Sequence, residues 1–155
     1  MPAAPRAPIS RWYARTNVHA TESRPVVEGA LRQLLGDPSV EISGVQTEGH
    51  HGNPIITLSA TRVGAADGRV LLQRLASLGV LTQVWATLDD RVDESGKIFL
   101  RFDKQAAAQG RFELGFRGDD IQVVIQLTSY PARRSTAIAA LDAYLKQARW
   151  ATPPP

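Results

Sequence analysis

The residues best suited to chemistry in this 155-residue chain are its three histidines, His19, His50 and His51. Imidazole binds metals and transfers protons near neutral pH. Two of the three stand together in the segment E-G-H-H-G-N-P-I, residues 48–55. Neighbouring strand residues point to opposite faces, so this pair fits one metal ion only if the backbone twists between them. The glycines and the N-P step favour instead a turn that visits positive φ, a loop suited to contact rather than chemistry.

Carboxylates form two clusters, one within residues 89–94 and one at Asp119 and Asp120. Acidic side chains that converge at strand ends can hold catalytic metal ions. Both clusters, however, fall in turns or at a helix end, where acids favour solvent. Asp103 and Lys104 make a further polar pair, which fits a catalytic pair, a phosphate contact or an ion pair at the end of a strand. No P-loop, dinucleotide fingerprint or serine triad order accompanies these residues.

The first predicted strand, residues 9–20, carries the clearest pattern in the chain. Apolar side chains alternate with Arg11, Tyr13 and Arg15 in I-S-R-W-Y-A-R-T-N-V-H-A, which predicts one buried face and one cationic, aromatic face. Arginines number fifteen against three lysines, and the planar guanidinium suits phosphates and base stacking. Cations beside an aromatic ring are the combination with which sheet surfaces bind RNA, so this face is the leading candidate site.

The elements that would position these residues predict an α+β domain. Short turns join several adjacent strands, which favours a largely antiparallel sheet with helices packed on one face and the other face open. The predicted strands are 9–20, a hairpin of about 40–48 and 55–61, 98–103, 112–116 and 121–130. The predicted helices are about 22–35 capped by Thr21, 67–78 capped by Asp67, 80–91, a helical turn at 104–110, and 132–149 with Pro131 as its first residue.

The chain is predicted to form one domain, residues 9–149, between a disordered N-terminal tail, residues 1–8, and a C-terminal tail, residues 150–155. Cysteine is absent, which excludes disulfides and thiolate chemistry. No apolar run approaches the ~18 to 20 residues of a membrane span, and the N-terminus lacks the apolar middle of a secretory signal. We therefore expect a cytoplasmic protein without membrane contact.

Four motifs occur in order: V-H-A-T-E at 18–22, E-G-H-H-G-N-P-I at 48–55, L-R-F-D-K-Q-A-A at 100–107 and S-Y-P-A-R-R at 129–134. Over about residues 9–148 the chain resembles an archaeal family of small predicted RNA-binding proteins, often labelled exosome-subunit-like. The resemblance implies an RNA ligand, no catalysis, and a fold like that of the large-subunit ribosomal protein that binds the small ribosomal RNA. The motif positions that it carries over are His19, His50, His51, Asn53, Asp103, Lys104, Gln105, Arg133 and Arg134.

The leading hypothesis is a non-catalytic RNA-binding protein that needs no cofactor or metal and has exosome- or ribosome-associated proteins as further partners. Its predicted RNA contacts are Arg11, Tyr13, Arg15, His19, His50, His51, Asn53, Lys104, Arg133 and Arg134. The alternative is a metal-assisted hydrolase of RNA or nucleotides that uses His50 or His51 with nearby carboxylates. A third possibility is an adaptor whose tryptophans, Trp12, Trp85 and Trp150, anchor a protein interface. The sequence leaves the oligomeric state open.

Overall fold

The computed structural model describes residues 5–49, 51–115 and 118–155. These residues form a mixed α+β fold with a five-stranded antiparallel sheet and six helices. The strands are β1 Ile9–Val18, β2 Ser43–Glu48, β3 Pro54–Val63, β4 Lys97–Asp103 and β5 Asp120–Leu127, in the sheet order β2-β3-β1-β5-β4. The helices are α1 Arg24–Leu35, α2 Ala65–Ser77, α3 Leu81–Ala86, α4 Leu88–Arg91, α5 Lys104–Ala108 and α6 Arg134–Ala148. The predicted fold class is confirmed, and the likeness to a ribosomal protein stays a prediction.

The chain divides into two compact units. The helix-rich unit comprises residues 1–12, 62–99 and 124–155, and the hairpin unit comprises residues 13–61 and 100–123. In the part of the chain that the structure describes, no helix is both long enough and apolar enough to cross a membrane.

In the helix-rich unit, two tryptophans make specific contacts and one glycine packs closely against an isoleucine. The indole N–H of Trp85 donates to a carboxylate oxygen of Asp142 on α6, at 2.8 Å. Trp150, in the predicted C-terminal tail, lies edge-on to the ring of Tyr144, with centroids 5.8 Å apart. Gly68 on α2 lies so close to Ile9 that an added Cβ would be 2.6 Å from the Ile9 Cβ. Glycine is therefore required at this position by space rather than by backbone conformation.

The hairpin unit is built on two sequence patterns. In α1 the buried residues are Val27, Ala30, Leu31, Leu34 and Leu35, a stripe at helical spacing, and the helix ends at Gly36 with φ of 67°. Helix α1 also packs against the short helix α5. Strands β2 and β3 pair as an antiparallel hairpin in which Ser43 lies opposite Ser59, which confirms the predicted hairpin. Burial strictly alternates along most of β1, as its period-two pattern predicts.

Helix starts were predicted least well. Helix α1 begins after Ser23 rather than Thr21, and Val26, predicted to lie in the apolar stripe, is 51% exposed. Helix α2 begins at Ala65, so Asp67 lies in its first turn instead of capping it. Side-chain oxygens favour several positions near a helix start, so residue type alone does not fix which of them becomes the cap.

Three further elements differ from the prediction. Helix α6 begins at Arg134, so Pro131 precedes the helix instead of starting it. Of the predicted strand 112–116, the described residues form only an isolated bridge from Leu114 to Phe102, and Phe116 lies outside the described residues. The predicted helix 80–91 is two short helices, α3 and α4.

Candidate nucleic-acid interface

The exposed face of β1 carries the predicted cationic and aromatic residues. Trp12, Ala14, Thr16 and Val18 are buried, whereas Arg11, Tyr13, Arg15 and Asn17 between them are exposed. Tyr13 is 42% exposed, which leaves ring surface available to a ligand. The predicted division of this strand into a buried and an open face is therefore confirmed. What the exposed side chains contact in solution stays a prediction.

Within the hairpin unit, hydrogen bonds between strands orient polar side chains near this face. Arg15 Nη2 donates to Gln122 Oε1 on β5 at 3.0 Å, and Thr57 Oγ1 on β3 donates to Asn17 Oδ1 at 2.9 Å. The guanidinium of Arg15 thus spans neighbouring strands while its side chain stays exposed. We call the exposed side of β1, β2 and β3 in the hairpin unit the open face; its described residues used below are Tyr13, Arg15, Asn17, Ser43, Thr57, Ser59 and Thr61.

Arg101 on β4 forms an ion pair with a neighbouring carboxylate. Its Nη1 lies 3.2 Å from an Asp120 carboxylate oxygen, and the Asp120 side chain is largely buried. A guanidinium already neutralised by a neighbouring carboxylate attracts phosphate less strongly than an unpaired one. Arg101 therefore contributes less to a basic surface than Arg15.

A concave pocket of about 310 Å³ adjoins Tyr13 on the open face. Its lining residues are Tyr13, Glu41, Ser43, Ser59, Ala60 and Thr61. One aromatic ring, one carboxylate and several hydroxyls thus surround a space near the lower end of the ~300 to 1,000 Å³ typical of ligand sites. Glu41, Ser43 and Ser59 could not be identified from the sequence, because nothing in the local pattern shows that these positions lie near Tyr13.

Lys104 lies where three sequence-distant segments meet, and its position corrects its predicted role. The side chain is only 1% exposed. Its ammonium contacts Glu22 Oε1 at 2.7 Å, Asp119 Oδ1 at 2.9 Å and the backbone oxygen of Asn17 at 2.8 Å. Three oxygens use the three N–H donors of the ammonium. Lys104 therefore does not reach the surface to meet a phosphate; it links the V-H-A-T-E segment to the loop before β5.

His19 completes the same cluster from the surface side. Its Nε2 lies 3.4 Å from Asp119 Oδ1, and the Glu22 carboxylate also accepts the backbone N–H of His19 at 2.9 Å. We call His19, Glu22, Lys104 and Asp119 the lysine cluster. Glu22 stands in the quoted motif and Asp119 in the noted acidic pair, but their contact with Lys104 was not anticipated. The side chains of His19 and Asp119 are 44% and 46% exposed, and of these two only the imidazole can donate a hydrogen bond to a phosphate.

The lysine cluster also contains residue types that can bind a metal ion. Among described residues, the ligand atoms of His19, Glu22 and Asp119 form the one metal-capable group, lying within 4.8 Å of one another. Both carboxylates, however, already contact the ammonium of Lys104. A divalent ion would have to share those carboxylates with this positive charge, which Coulomb repulsion disfavours. As arranged, the residues fit an internal ammonium ion better than a metal.

The E-G-H-H-G-N-P-I segment connects β2 and β3, as predicted. His50 lies outside the described residues. His51 and Asn53 are exposed in the loop, and Gly52 has φ of 74°, a conformation that favours glycine. The backbone N–H of Gly49 donates to the Asn53 carbonyl at 2.7 Å and closes the turn. The loop geometry thus agrees with the predicted glycine-shaped turn.

The other carboxylates singled out from the sequence have local structural roles. Asp103 caps α5 by accepting the backbone N–H of Ala106 at 2.9 Å. Asp93 closes a turn: desolvation alone would raise its pKa, but hydrogen bonds from the backbone of Lys97 and from Ser95 hold that pKa below its ordinary value. These bonds satisfy the carboxylates where they stand, as the prediction of solvated turns and ends requires.

The two arginines before α6 differ in their surroundings. Arg133 is exposed at the residue preceding the helix. Arg134 Nε donates to the Val92 carbonyl at 3.1 Å, and its Nη2 contacts the backbone carbonyl of Asp89 and lies 3.7 Å from the Asp89 carboxylate. Arg134 therefore fastens α6 to the end of α4, which leaves Arg133 the more accessible of the two.

The chain is similar to known archaeal proteins. The chain is 31% identical over 141 residues to the RNA-binding protein PAB1135 of Pyrococcus abyssi, covering 85% of this chain and 90% of that protein. It also resembles the solved structure of Mth689 of Methanothermobacter thermautotrophicus, a DUF54 protein, at 32% identity and a TM-score of 0.74, over 88% of this chain and 98% of that one. A DUF54 protein of Sulfolobus solfataricus, SSO0741, shares the fold at 20% identity and a TM-score of 0.67, over 90% and 97% of the respective chains.

These relatives are archaeal, as the sequence motifs indicated. A family model described as RNA binding matches residues 12–127, a range that includes most of β1, the hairpin and the lysine cluster. The chain belongs to this RNA-binding family.

Proposed function

We propose that this protein is a non-catalytic RNA-binding module whose open face takes up single-stranded RNA. The observation that carries the proposal is the exposure of Tyr13 and Arg15 on a strand whose other face is buried. Family membership and the name of the Pyrococcus relative support RNA as the ligand.

Tyr13 is proposed as the base contact. In single-stranded RNA the bases are free to leave their own stack and lie on an aromatic ring. The ring of Tyr13 is partly exposed and is fixed on a strand in the interior of the sheet order. A ring held in place loses little freedom when a base stacks on it, so the contact adds affinity without favouring a sequence.

Arg15 is proposed as the main phosphate contact of the open face. Its hydrogen bond to Gln122 orients the guanidinium and adds no charge that would neutralise it. Arg11 on the same face of β1, and the partly exposed His19, are proposed as further contacts along the strand. Alternate strand residues lie about 6.5 to 7 Å apart, a spacing comparable with that of successive phosphates in an extended strand.

The remaining predicted contacts divide by accessibility. His51, Asn53 and Arg133 are exposed and stay proposed RNA contacts. Lys104 and Arg134 are engaged with protein oxygens, so we assign both a structural role. In this proposal Lys104 holds the V-H-A-T-E segment in place and thereby positions His19.

The experiment measures the affinity of fluorescein-labelled single-stranded RNA by anisotropy at low salt. Tyr13→Ala should weaken binding by about 1 to 3 kcal/mol if a base stacks on the ring. Tyr13→Phe keeps the ring and should bind nearly as well as the wild type. Tyr130→Ala is the matched control, because Tyr130 is 97% exposed and lies outside the hairpin unit. Equal losses for Tyr13→Ala and Tyr130→Ala, or no binding by the wild type, would contradict the proposal.

Salt dependence gives a separate test of Arg15. Each phosphate neutralised on a single strand contributes about −0.7 to the slope of log affinity against log salt. Arg15→Met should make the slope shallower by about this amount. Arg111→Met is a suitable control, because Arg111 is exposed and its Nη1 already lies 2.8 Å from Glu113 Oε1. An unchanged slope for Arg15→Met would remove Arg15 from the phosphate contacts.

The alternative function, a metal-assisted hydrolase, is tested by incubating the protein with RNA in Mg²⁺ or Mn²⁺. Among described residues, the one group with three potential ligands already holds the Lys104 ammonium, which is why binding is the favoured function. Cleavage abolished by His51→Ala would reverse this preference. Association with an exosome or a ribosome stays a prediction, and co-purification at native abundance would test it.

A further inference from the structure

The pocket beside Tyr13 has a chemical character that a general stacking surface does not require. Its volume of about 310 Å³ suits one small, flat group rather than an extended ligand. The ring of Tyr13 lines it together with the carboxylate of Glu41 and the hydroxyls of Ser43, Ser59 and Thr61. A flat aromatic surface combined with edge-reading polar groups is the composition of a nucleobase site.

We propose that this pocket receives a single base of the bound RNA and selects guanine. The inference rests on the proposed function, because it names the base that the open face reads once RNA is bound. All of the lining residues belong to the hairpin unit.

Glu41 carries the selectivity. An ionised carboxylate has two acceptor oxygens and no donor. Guanine presents two adjacent donors on its Watson–Crick edge, the N1–H and the 2-amino group, which can pair with both oxygens at once. Adenine and cytosine offer one amino donor beside a ring-nitrogen acceptor, and uracil offers one N–H between two carbonyls. Each of those bases would therefore place an acceptor against the carboxylate, which is repulsive.

The serines supply groups that fit the rest of the base. Ser43 and Ser59 are directly opposite each other on β2 and β3, so their hydroxyls lie on the same side of the sheet. A hydroxyl both donates and accepts, and can therefore donate to the O6 or N7 acceptors of guanine. These groups adapt to several bases, whereas the acceptor-only carboxylate does not.

Glu41 places a negative charge on a surface that is proposed to bind RNA, a polyanion. Repulsion between Glu41 and phosphates lowers the affinity for every RNA. The carboxylate improves recognition only if its contact with one base offsets this loss of affinity. Discrimination built from repulsion of the wrong ligands is a common route to specificity. The Glu41 side chain is exposed and lines the pocket, so its carboxylate oxygens are accessible to a ligand.

The test uses uridine heptamers with one central guanosine, adenosine or inosine, with affinities measured by anisotropy. A bidentate contact predicts that the wild type binds the guanosine heptamer about 5-fold or more tighter than the adenosine heptamer. Inosine keeps the N1–H but lacks the 2-amino group, so its heptamer should bind with intermediate affinity. A single substituted base also avoids the self-association of guanosine runs.

Variants at Glu41 separate base reading from general attraction. Glu41→Gln removes the charge and one acceptor, so affinity for the guanosine heptamer should fall and affinity for the adenosine heptamer should rise until the two converge. Glu48→Gln is the matched control, because Glu48 is an exposed acid at the end of β2, outside the pocket, and this variant should retain the guanosine preference.

Two outcomes would overturn the guanine inference while leaving RNA binding intact. One is equal binding of the guanosine and adenosine heptamers by the wild type, and the other is a guanosine preference that persists in Glu41→Gln. Absence of binding to all three heptamers would instead overturn the proposed function itself, and the inference with it.

Discussion

Replacement of Lys104 by methionine removes the one positive charge from a site that holds two carboxylates. The Lys104 ammonium is buried away from solvent. It contacts Glu22, Asp119 and the Asn17 carbonyl at 2.7 to 2.9 Å. Removing one partner of a buried ion pair costs about 3 to 5 kcal/mol. The side chains of Glu22 and Asp119 are 19% and 46% exposed, so water partly replaces the ammonium, and we expect the lower end, about 3 kcal/mol.

Urea unfolding followed by tryptophan fluorescence measures this loss as a lower midpoint. The control is Lys146→Met, which removes an ion pair of similar length, 3.0 Å to Asp142, at a lysine that is 62% exposed. Exposed pairs of this kind contribute about 0.3 to 0.5 kcal/mol within a helix. Lys104→Met should therefore cost several times more than Lys146→Met.

A companion variant separates charge from packing. Adding Glu22→Gln and Asp119→Asn to Lys104→Met removes the two carboxylates that would otherwise repel each other, and should recover part of the lost stability. The reasoning is wrong if Lys104→Met costs less than about 1 kcal/mol, well below the buried-pair range. It is also wrong if neutralising both acids deepens the loss, because the carboxylates would then stabilise the fold mainly through other contacts, such as the His19 backbone N–H that Glu22 accepts.

Two further predictions concern the helix-rich unit and one glycine control. Gly68→Ala places a methyl group against Ile9 and should destabilise the protein by about 1 to 3 kcal/mol. In Gly29→Ala on α1 the added methyl group meets no atom within 4 Å, so this variant should be more stable than the wild type by about 0.5 to 1 kcal/mol. Equal unfolding midpoints for the two variants would contradict this contrast. The Trp85 N–H and Lys146 hold the pKa of Asp142 below its ordinary value, so this carboxylate contributes stability above its unfolded pKa that is lost as the pH falls through the lower folded pKa. Trp85→Phe should raise the Asp142 pKa in an NMR titration and weaken this acid dependence, and an unshifted titration would show that the indole is not the cause.

Local patterns predicted the elements that depend on neighbours in the chain. The alternation in residues 9–18 predicted which side of β1 is buried, and the glycine-bounded segments predicted the β2–β3 hairpin. Both predictions rest on the alternation of side chains along a strand, which the backbone geometry sets independently of the neighbouring strands. Of the strand predicted at 112–116, the described residues form one bridge, in which Leu114 lies opposite Phe102 and the backbone N–H groups of Asp103 and Gly115 donate to the carbonyls of Glu113 and Arg101. Alternation predicts extended residues, but how far the pairing extends depends on the neighbouring strand.

The candidate site was predictable to the extent that it lies on one strand. Tyr13 and Arg15 were identified because their exposure follows from alternation alone. Glu41 was missed because its proximity to Tyr13 depends on how β2, β3 and β1 lie side by side. A surface assigned from one strand is therefore incomplete until the neighbouring strands are known.

The sequence by itself determined the α+β composition, the two faces of β1 and the glycine-shaped hairpin loop, because these follow from dihedral preferences and from periodicity over a few residues. Only the tertiary structure decided that Lys104 is internal. Its ammonium is satisfied by oxygens that lie 82 residues before it at Glu22, 87 residues before it at Asn17, and in the loop at Asp119. Whether a charged residue meets solvent or buried partners depends on such long-range contacts, which no local pattern specifies.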